Sequence, residues 1–524
     1  MEDELARTLS ARAQAAAPKT APPPQSRRPA TAPRPRRVAI VGGGWAGLAA
    51  AVEAVSLGHA VTLFEMAPAF GGRARRLAAS AAALGACRAW GVEAKYGPSE
   101  DSFCRIRRPI AVAMGQEAGE KWTAAAKLQP TIPKPDRLLA LDNGQHILIG
   151  AYRETLRLMA LVGVDESTVL RRMPLALLDA EGRGLELPTG PAVPAFVRGV
   201  LAARGWSLGE RLALLAEASG WLLRGFRCKP ATSVAQLTAG LPLAVRQRLI
   251  EPLCVAALNT PAEHASAEVF LRVLRDALFA GRGASDLLLP TVDLGALWPD
   301  AAVRWLGEHG AVMKTGQRVA ALERHGAEWR VEGAAFDAAV LACSAHEAAR
   351  LAEPHAPLWA RTARALRHEP IVTVLLQSHG ARLPRPLIAL QSDDAAPAQY
   401  VFDLGLLRNA EREPGAAGTL AFVVSGAAAW VERGSEATAR AVASQAAAQL
   451  GRFMPGTPVL LGTYSEKRAT FLCTPGLQRP AARVGSAHTL HAAGDYIAGP
   501  YPSTLEGAVQ SGVAAARAVT AVAK

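Results

Sequence analysis

The chain has 524 residues, half of them hydrophobic, and this length is sufficient for two or three domains around a large core. Its formal net charge is +13, and part of that charge lies in or beside a Pro/Ala-rich beginning, at Arg27, Arg28, Arg34, Arg36 and Arg37. The six cysteines form no Cys-x-x-Cys pair, which argues against a zinc site or a disulfide framework and suits a reducing compartment.

Residues 1–35 are rich in Ala, Pro, Arg and Thr, and a disordered leader is predicted there. The first residues carry acids where a signal peptide has bases, and no apolar run reaches the roughly eighteen residues of a membrane span. We therefore expect a cytoplasmic protein, soluble or peripheral to the inner face of the membrane. The basic patch could touch nucleic acid or anionic lipid, but no nucleic-acid-binding module follows it, so a solvated tail is favoured and no nucleic acid partner is predicted.

A glycine-rich loop follows the leader. The apolar run 38–41 predicts a buried strand, and Gly42, Gly44 and Gly47 follow it at the G-x-G-x-x-G spacing. The first glycine permits a tight turn, the second lets a pyrophosphate approach the backbone, and the third lets a helix over about 46–57 pack closely on the strand. The pattern indicates a dinucleotide site.

A second strand over 60–64 is predicted to end at Glu65, an acid that can accept hydrogen bonds from both ribose hydroxyls of an adenosine. The phosphates would lie at the helix N-terminus, where free N–H groups and the helix dipole favour an anion. The alternative is a glycine-rich turn that binds no nucleotide, and the strand before it and the acid after it argue against that reading. Gly71, Gly72 and Arg73 follow, and a plain NAD dehydrogenase has no need of this second glycine loop.

The rest of the chain divides by its periodicity. Residues 78–135 have weak periodicity, and an insertion of uncertain structure is predicted there. Helical spacing dominates to about residue 300, short strands are predicted over 311–314, 319–324, 328–332 and 338–343, and strands alternate with an Ala-rich helix thereafter. The predicted domains are a dinucleotide-binding domain over 36–77, 301–345 and 485–524, and a substrate-binding domain over 136–300 and 346–484.

Five consecutive positions form a polar turn within the stretch LDNGQHILIGAYRETLR. Asp142, Asn143 and Gly144 are turn residues, and Gln145 and His146 follow them before an apolar strand-like run. A lone histidine is usually a core or turn residue with satisfied hydrogen bonds. The clustering of four polar side chains in one short turn makes a functional site an equal alternative.

The C-terminal part of the chain completes the first domain. A short apolar strand is predicted to end in Gly494 and Asp495, and the helix after it can be capped by Ser503 or Thr504. Gly507 would let that helix begin close to a flat ligand. The alternative is an ordinary amphipathic C-terminal helix, which does not account for the Gly-Asp pair in front of it.

The order of Glu65 and the Gly-Gly-Arg loop resembles the amine oxidase and phytoene desaturase superfamily of flavoproteins, in which that loop and its arginine hold the FAD pyrophosphate. Five stretches resemble, in this order, the squalene-associated FAD-dependent desaturase family, understood as hydroxysqualene dehydroxylases. They are VGGGWAGLAAAVE with GGRAR, LDNGQHILIGAYRETL, EPLCVAALNTPAEHASAEVFLRVLRDAL, KRATFLCTPGLQRP and AGDYIAGPYPSTLEGAVQSG. The leader and the long segment between Arg76 and Leu141 depart from the family pattern.

The resemblance implies an α/β fold, in which a Rossmann-like FAD-binding domain of the glutathione-reductase type is interleaved with an α+β substrate-binding domain. It also implies FAD-binding residues and no metal site. The residues implied to bind FAD are Gly42, Gly44, Trp45, Ala46, Gly47, Glu65, Gly71, Gly72, Arg73, Gly144, Val319, Gly494, Asp495, Thr504, Leu505, Glu506, Gly507 and Ala508. Among them, the Val319 backbone would contact the adenine, and the start of the C-terminal helix would stabilise negative charge on the flavin.

The reaction that the resemblance implies is the reductive dehydroxylation of hydroxysqualene, a C30 isoprenoid alcohol, to squalene in squalene and hopanoid biosynthesis. Protonation and loss of water would give a delocalised allylic cation, to which reduced flavin delivers hydride. We expect His146 or Asp142 to donate the proton and Gln145 to position the hydroxyl. Histidine has the pKa closest to neutral, whereas the aspartate would need its pKa raised by burial. Tyr496 and Tyr501 are the next candidates.

Two other functions remain as alternatives. One is an oxidative enzyme of the same superfamily, either a phytoene-type desaturase or an amine oxidase. Amine oxidation would favour an aromatic cage, which the sequence does not show clearly, and the sequence does not determine the direction of the redox reaction. The other is a non-catalytic prenyl-lipid carrier that resembles the GDP-dissociation-inhibitor branch, and the complete set of nucleotide-binding residues argues against it. Contact with the membrane or with other squalene-pathway enzymes is a further expectation.

Overall fold

The structure, a computed structural model, describes residues 35–77, 139–409, 411 and 413–521. The predicted leader, apart from Pro35, and the predicted insertion lie outside the described residues. The strands are β1 (Arg37–Val41), β2 (Ala60–Phe64), β3 (Leu148–Ile149), β4 (Leu170–Met173), β5 (Ala176–Leu178), β6 (Gly184–Glu186), β7 (Leu287–Pro290), β8 (Val312–Lys314), β9 (Leu322–His325), β10 (Glu328–Val331), β11 (Ala334–Phe336), β12 (Ala338–Leu341), β13 (His368–Gln377), β14 (Leu387–Ala389), β15 (Tyr400–Asp403), β16 (Thr419–Val424), β17 (Val459–Phe471) and β18 (Leu490–Ala492).

Helices connect these strands. The α-helices are α1 (Trp45–Ser56), α2 (Arg153–Leu161), α3 (Glu166–Val169), α4 (Ala192–Ala202), α5 (Leu208–Leu223), α6 (Val234–Leu237), α7 (Leu243–Val245), α8 (Glu251–Leu258), α9 (Ala267–Leu278), α10 (Leu294–Leu297), α11 (Pro299–Glu308), α12 (Ala345–Ala352), α13 (Pro357–Arg364), α14 (Leu404–Leu407), α15 (Ala428–Arg433), α16 (Ser435–Leu450) and α17 (Leu505–Ala521). A π-helical turn spans Arg246–Ile250, and 3₁₀ turns span Pro414–Ala416 and Gly451–Phe453. Within the described residues, no helix is both long and apolar enough to cross a membrane.

A parallel sheet of five strands carries the dinucleotide-binding motif. Its order is β18-β12-β1-β2-β8, and all neighbouring strands run parallel. Val38, Ala39 and Ile40 of the central strand are fully buried, because α1 packs on one face of the sheet and the antiparallel strands β9, β10 and β11 pack with the main core on the other. On one face α1 packs against α17, and a Cβ on Gly512 would collide with the backbone of Ala46, so a glycine is required where these helices cross.

An antiparallel sheet of five strands forms the second layer, in the order β14-β15-β16-β13-β17. Side chains of β13 alternate between its faces, as the two-residue period of a strand dictates. Val372 and Val374 join a cluster with α16, whereas Ile371 and Leu375 point into the main core of the molecule. One face of this sheet is therefore covered by a helix, and the other is directed inward.

The predicted α/β fold class and the interleaving of the two domains are confirmed, because β8, β12 and β18 return to the parallel sheet from distant parts of the chain. The predicted strand over 319–324 is shorter than expected. The carbonyl oxygens of Val319 and Ala320 accept hydrogen bonds from the Arg350 guanidinium at 2.7 and 2.5 Å, and the strand begins only at Leu322. The predicted domain boundaries stay predictions.

Candidate functional site

The glycine loop after β1 admits only glycine at two of its positions. Gly42 has φ of +111°, and a Cβ on it would lie 2.6 Å from the carbonyl oxygen of Ala342 in the neighbouring segment. A Cβ on Gly47 would collide with the carbonyl oxygen of Gly42. Gly44 differs, since the nearest described atom to a Cβ there would be the Cα of Gly72, at 3.5 Å. The backbone at Gly44 therefore remains accessible between the two glycine loops.

Helix α1 begins directly behind this loop. Its N-cap is Gly44, the described residues supply no side-chain cap, and no acid lies in its first turn. The N–H groups of the first turn, including those of Trp45 and Ala46, are therefore available to an anion such as a pyrophosphate. The indole N–H of Trp45 donates to the carbonyl oxygen of Ala74 at 3.0 Å, so this side chain ties the second glycine loop to the helix.

Glu65 lies at the end of β2, beside the same loop. Its Oε2 accepts a hydrogen bond from the N–H of Gly43 at 2.6 Å, and its Oε1 accepts one from the N–H of Ala67 at 2.7 Å. Each carboxylate oxygen keeps lone-pair capacity for a ribose hydroxyl. The N–H of Gln317 donates to the Glu65 carbonyl at 2.9 Å, which holds the segment containing Val319 next to this end of the site.

The second glycine loop runs alongside the first and is joined to the C-terminal part of the chain. The N–H of Gly71 donates to the carbonyl oxygen of Gly43 at 2.9 Å. The Arg73 guanidinium pairs with Oδ1 of Asp495 at 2.6 Å, and the Ser503 hydroxyl donates to Oδ2 of the same carboxylate. Four segments distant in sequence therefore converge on one place, and their free helix amides, close glycine backbones and acid fit a flavin dinucleotide.

The C-terminal helix α17 is capped by Thr504 and not by Ser503, because Thr504 Oγ1 accepts a hydrogen bond from the N–H of Gly507 at 3.0 Å. The Ala508 N–H donates to the Thr504 carbonyl at 3.0 Å. The amides at the very start of the helix, those of Leu505 and Glu506, are therefore the ones that could face a flavin.

The Glu506 side chain is directed at a different helix, and its predicted contact with the cofactor stays a prediction that concerns its backbone. Its carboxylate is buried and accepts hydrogen bonds from the N–H groups of Glu154 and Thr155, both at 3.0 Å, and from the Thr155 hydroxyl at 2.7 Å. It therefore caps the N-terminus of α2. Any contribution of Glu506 to the flavin site comes from its backbone.

The polar turn at 142–146 lies between the second glycine loop and the antiparallel sheet. The Asn143 amide donates to the carbonyl oxygen of Arg73 and to Oε2 of Glu466 on β17, both at 3.0 Å. Gly144 has φ of +99°, and a Cβ on it would lie 3.9 Å from Oγ1 of Thr373 on β13. Asn143 and Glu466 were not among the predicted site residues, and Asn143 could have been added because it shares the turn.

Asp142 anchors this turn and does not fit the predicted role of proton donor. Its side chain is 4% exposed, pairs with the 3% exposed Arg408 at 2.8 Å, and accepts a hydrogen bond from the N–H of Leu294 at 2.8 Å. Burial raises the pKa of Asp142 to about 7, while Arg408 and the Leu294 amide draw it down. Both oxygens are directed at these partners, so the residue fixes the turn to the start of α10.

His146 is the predicted donor whose Nε2 has no hydrogen-bond partner among the described residues. Its Nδ1 lies 3.3 Å from the carbonyl oxygen of Gly144 and donates to it when Nδ1 carries the proton, which leaves Nε2 for a substrate. Burial lowers the pKa of His146, and the positive charge of Arg73 acts in the same direction. The imidazole is therefore mostly neutral at pH 7. The neighbouring Gln145 is half-buried in the same turn.

Tyr496 and Tyr501, the next candidates for the proton donor, differ in their hydrogen bonds. The Tyr501 hydroxyl donates to Asp276 on α9 at 2.9 Å, so it is committed to that helix. The Tyr496 hydroxyl is buried with no hydrogen-bond partner among the described residues, and burial raises its pKa. The Tyr496 ring packs on Gly494, where a Cβ would lie 2.5 Å from a ring carbon. Tyr496 thus stays a candidate beside the cofactor-binding pair.

Two protein-family models match this chain. The model described as flavin containing amine oxidoreductase matches residues 137–520, and the model of an NAD(P)-binding Rossmann-like domain matches residues 40–99. No curated protein matches the chain.

Several solved structures share its fold. An oxidoreductase from Methanosarcina mazei is 14% identical with a TM-score of 0.59, and the match covers 91% of this chain and 99% of that one. A putative protoporphyrinogen oxidase from Exiguobacterium sp. 255-15 is 16% identical with a TM-score of 0.55, and cyclohexylamine oxidase from Brevibacterium oxydans IH-35A is 14% identical with a TM-score of 0.58. Each of these two matches covers 93% of this chain and 99% of the other. At these identities the likeness concerns the fold.

Proposed function

This chain belongs to the flavin-containing amine oxidoreductase family and is an oxidoreductase with FAD as its cofactor, and from that premise we propose that it reductively dehydroxylates hydroxysqualene to squalene. The observation that carries the proposal is the position of the polar turn at 142–146 between the second glycine loop and the inward face of the antiparallel sheet. This turn belongs to LDNGQHILIGAYRETL, a stretch that is much more specific to the family than the glycine fingerprint.

The inward face of the sheet supports an apolar substrate. Its side chains belong to the main hydrophobic core, and those that support the proposal come from β13, β15, β16 and β17. They are Ile371, Leu375, Tyr400, Phe402, Ala421, Val423 and Tyr464. A long isoprenoid chain would gain by leaving water for such a surface. Polar groups of the turn adjoin this face, where Asn143 bonds to Glu466 of β17.

The chain's own residues can supply the proton that the reaction needs. Hydroxide is a poor leaving group, so a proton must reach the substrate oxygen as the C–O bond breaks and water departs. We assign this proton to His146, whose lowered pKa makes its imidazolium a stronger acid, and the positioning of the hydroxyl to Gln145. Bound and reduced, FAD supplies the hydride that forms the new C–H bond. One alcohol, one proton and one hydride then give one alkene chain and one water.

The second candidate function is the oxidation of an amine, and the family description and the fold of cyclohexylamine oxidase favour it. In that direction the substrate gives up hydride, and the turn would need to take a proton instead of supplying one. Phytoene-type desaturation also runs in this direction. The carrier alternative is disfavoured because a carrier does not need the flavin.

The test is to present the FAD-loaded protein with both kinds of substrate in the absence of oxygen. Protein with photoreduced flavin is mixed with hydroxysqualene, and protein with oxidised flavin is mixed with cyclohexylamine, putrescine or phytoene, followed by product analysis. We expect squalene from the first mixture and no product from the others. Formation of an imine or of a desaturated carotenoid, without squalene, would overturn the proposal.

A further inference from the structure

Large apolar side chains are exposed on the neighbouring helices α4 and α5 and at the start of α7. Eight of the fourteen large hydrophobic side chains that are exposed in the described part of the chain come from residues 193–243. These eight residues, which we name the apolar patch, are Val193, Val197, Leu201, Leu208, Leu212, Leu222, Leu223 and Leu243. Soluble proteins rarely expose a large contiguous apolar area, so a concentration of this kind indicates an interaction surface.

The helical period places these side chains on the outer faces of α4 and α5. Val193, Val197 and Leu201 follow one another at four-residue intervals along α4, and residues four apart share one side of a helix. Leu208 and Leu212 repeat the interval at the start of α5. The opposite sides of both helices are buried. Each helix therefore already has a side that packs on the core, and the exposed leucines and valines face away from it.

Hydrogen bonds hold the two helices in one rigid hairpin. The Arg211 guanidinium donates to the carbonyl oxygen of Leu201 at 2.7 Å and to that of Trp206 at 3.1 Å. Arg248 donates to the carbonyl oxygen of Gly205 at 3.2 Å, which fixes the connection from the other side. The apolar patch is therefore a built surface and not a loose loop.

The charged side chains in the same stretch of sequence are mostly positive. Residues 191–250 contain eight basic side chains and two acidic ones. The basic residues are Arg198, Arg204, Arg211, Arg224, Arg227, Lys229, Arg246 and Arg248. Both acids are engaged locally, since Glu210 accepts from the N–H of Ser207 at 2.7 Å and Glu217 pairs with Arg224 at 3.5 Å.

We propose that the apolar patch docks on an anionic lipid bilayer, with its leucines among the acyl chains and the surrounding arginines on the headgroups. An amphipathic helical surface with apolar residues on one side and cations beside them binds membranes in two ways. The apolar side chains are buried among the acyl chains, and the cations are attracted to anionic headgroups. A second copy of this chain is a poorer occupant, because two surfaces of the same positive charge would repel each other. The inference goes beyond the proposed reaction and does not depend on the identity of the substrate.

The same hairpin also borders a cavity of about 450 Å³. Ala192 and Ala195 at the start of α4 line one side of it, and Leu278 and the segment 281–283 contribute to its lining. The residues after this segment form β7, which pairs with β3 directly behind the polar turn.

The test is sedimentation of the FAD-loaded full-length protein with vesicles of phosphatidylcholine alone or mixed with phosphatidylglycerol. The patch variant is Leu208→Gln/Leu223→Gln, which changes side chains that are 64% and 88% exposed. The control variant is Leu358→Gln/Val459→Gln, which changes side chains of 72% and 46% exposure elsewhere. Bound flavin, measured by absorbance, shows that each variant is folded.

We expect the parent and the control to sediment with the anionic vesicles. The patch variant should bind them about tenfold more weakly or worse, because the burial of each leucine contributes to the free energy of binding. Arg224→Gln/Arg227→Gln should reduce the preference for anionic over neutral vesicles. Equal binding by the patch variant and the parent would overturn the proposal. So would binding that is lost only when residues 1–34 are removed, or a dimer in the parent that the patch variant abolishes without any vesicle binding.

Discussion

The buried pair of Arg408 and Asp142 gives the sharpest prediction about how the polar turn is held. Arg408→Met removes the cation and leaves Asp142 with the N–H of Leu294 as its remaining partner in the described structure. Both side chains are almost fully shielded from water, so solvent cannot replace the lost cation. Removal of one partner from such a pair costs about 3–5 kcal/mol in the free energy of unfolding.

The cost should depend on pH in a defined direction. Burial already raises the pKa of Asp142 to about 7, and without Arg408 this pKa must rise further. The unfolded chain has the carboxyl at about 3.9, so between the two values only the folded state binds the proton, and stability falls as pH rises. The pH range in which stability falls ends near pH 7 in the parent and extends above pH 7 in the variant. The difference in stability should therefore widen above about pH 7, by at most about 1.4 kcal/mol per pH unit.

The assay is urea unfolding of the FAD-loaded protein at a series of pH values, followed by circular dichroism. Arg440→Met is the matched control, because Arg440 pairs with Glu436 one turn away on the exposed side of α16 and should cost less than about 1 kcal/mol. A second variant, Arg408→Met/Asp142→Leu, should recover part of the loss because it removes both charges. A loss below about 1 kcal/mol for Arg408→Met, or a loss that does not change with pH, would refute the reasoning.

Three further predictions concern the flavin and the proton. Gly47→Ala should abolish retention of FAD because its Cβ collides with the Gly42 carbonyl, whereas Gly240→Ala, which meets no described atom within 4 Å, should retain it; equal flavin absorbance in both variants would contradict this. Glu65→Ala should weaken FAD binding by about 1–3 kcal/mol in an equilibrium titration, and unchanged affinity would refute the assignment. Burial lowers the pKa of His146, so single-turnover dehydroxylation should accelerate as pH falls below about 6.5, while stability declines because only the unfolded chain binds the proton there. His146→Ala should lose this acceleration and about 10²-fold or more in rate, and a pH-independent parent would assign the proton elsewhere.

The cofactor half of the site could be predicted because its signals are local. The spacing of Gly42, Gly44 and Gly47 between a strand and a helix encodes a backbone crossing, and the structure shows that crossing. Glu65 follows β2 directly. Because that end of β2 lies beside the glycine loop, the Glu65 carboxylate reaches the N–H of Gly43. Short-range periodicity is sufficient for such elements, because the residues that determine them are close in sequence.

The partners of the buried acids could not be predicted in the same way. Arg408 is 266 positions from Asp142, and Thr155 is 351 positions from Glu506. An acid in the first turn of a helix is expected from sequence to complement that helix's own dipole. In the structure the carboxylate caps a different helix, and no pattern near Glu506 carries that information. Long-range pairing of this kind depends on tertiary packing.

The most direct test of the account is the reoxidation of protein-bound reduced FAD by hydroxysqualene in a single anaerobic turnover. We expect flavin absorbance to return when hydroxysqualene is added, with one squalene formed for each flavin oxidised, and squalene itself to produce no return. Reduced flavin that stays reduced in the presence of hydroxysqualene, in protein that is folded and fully loaded with FAD, would contradict it.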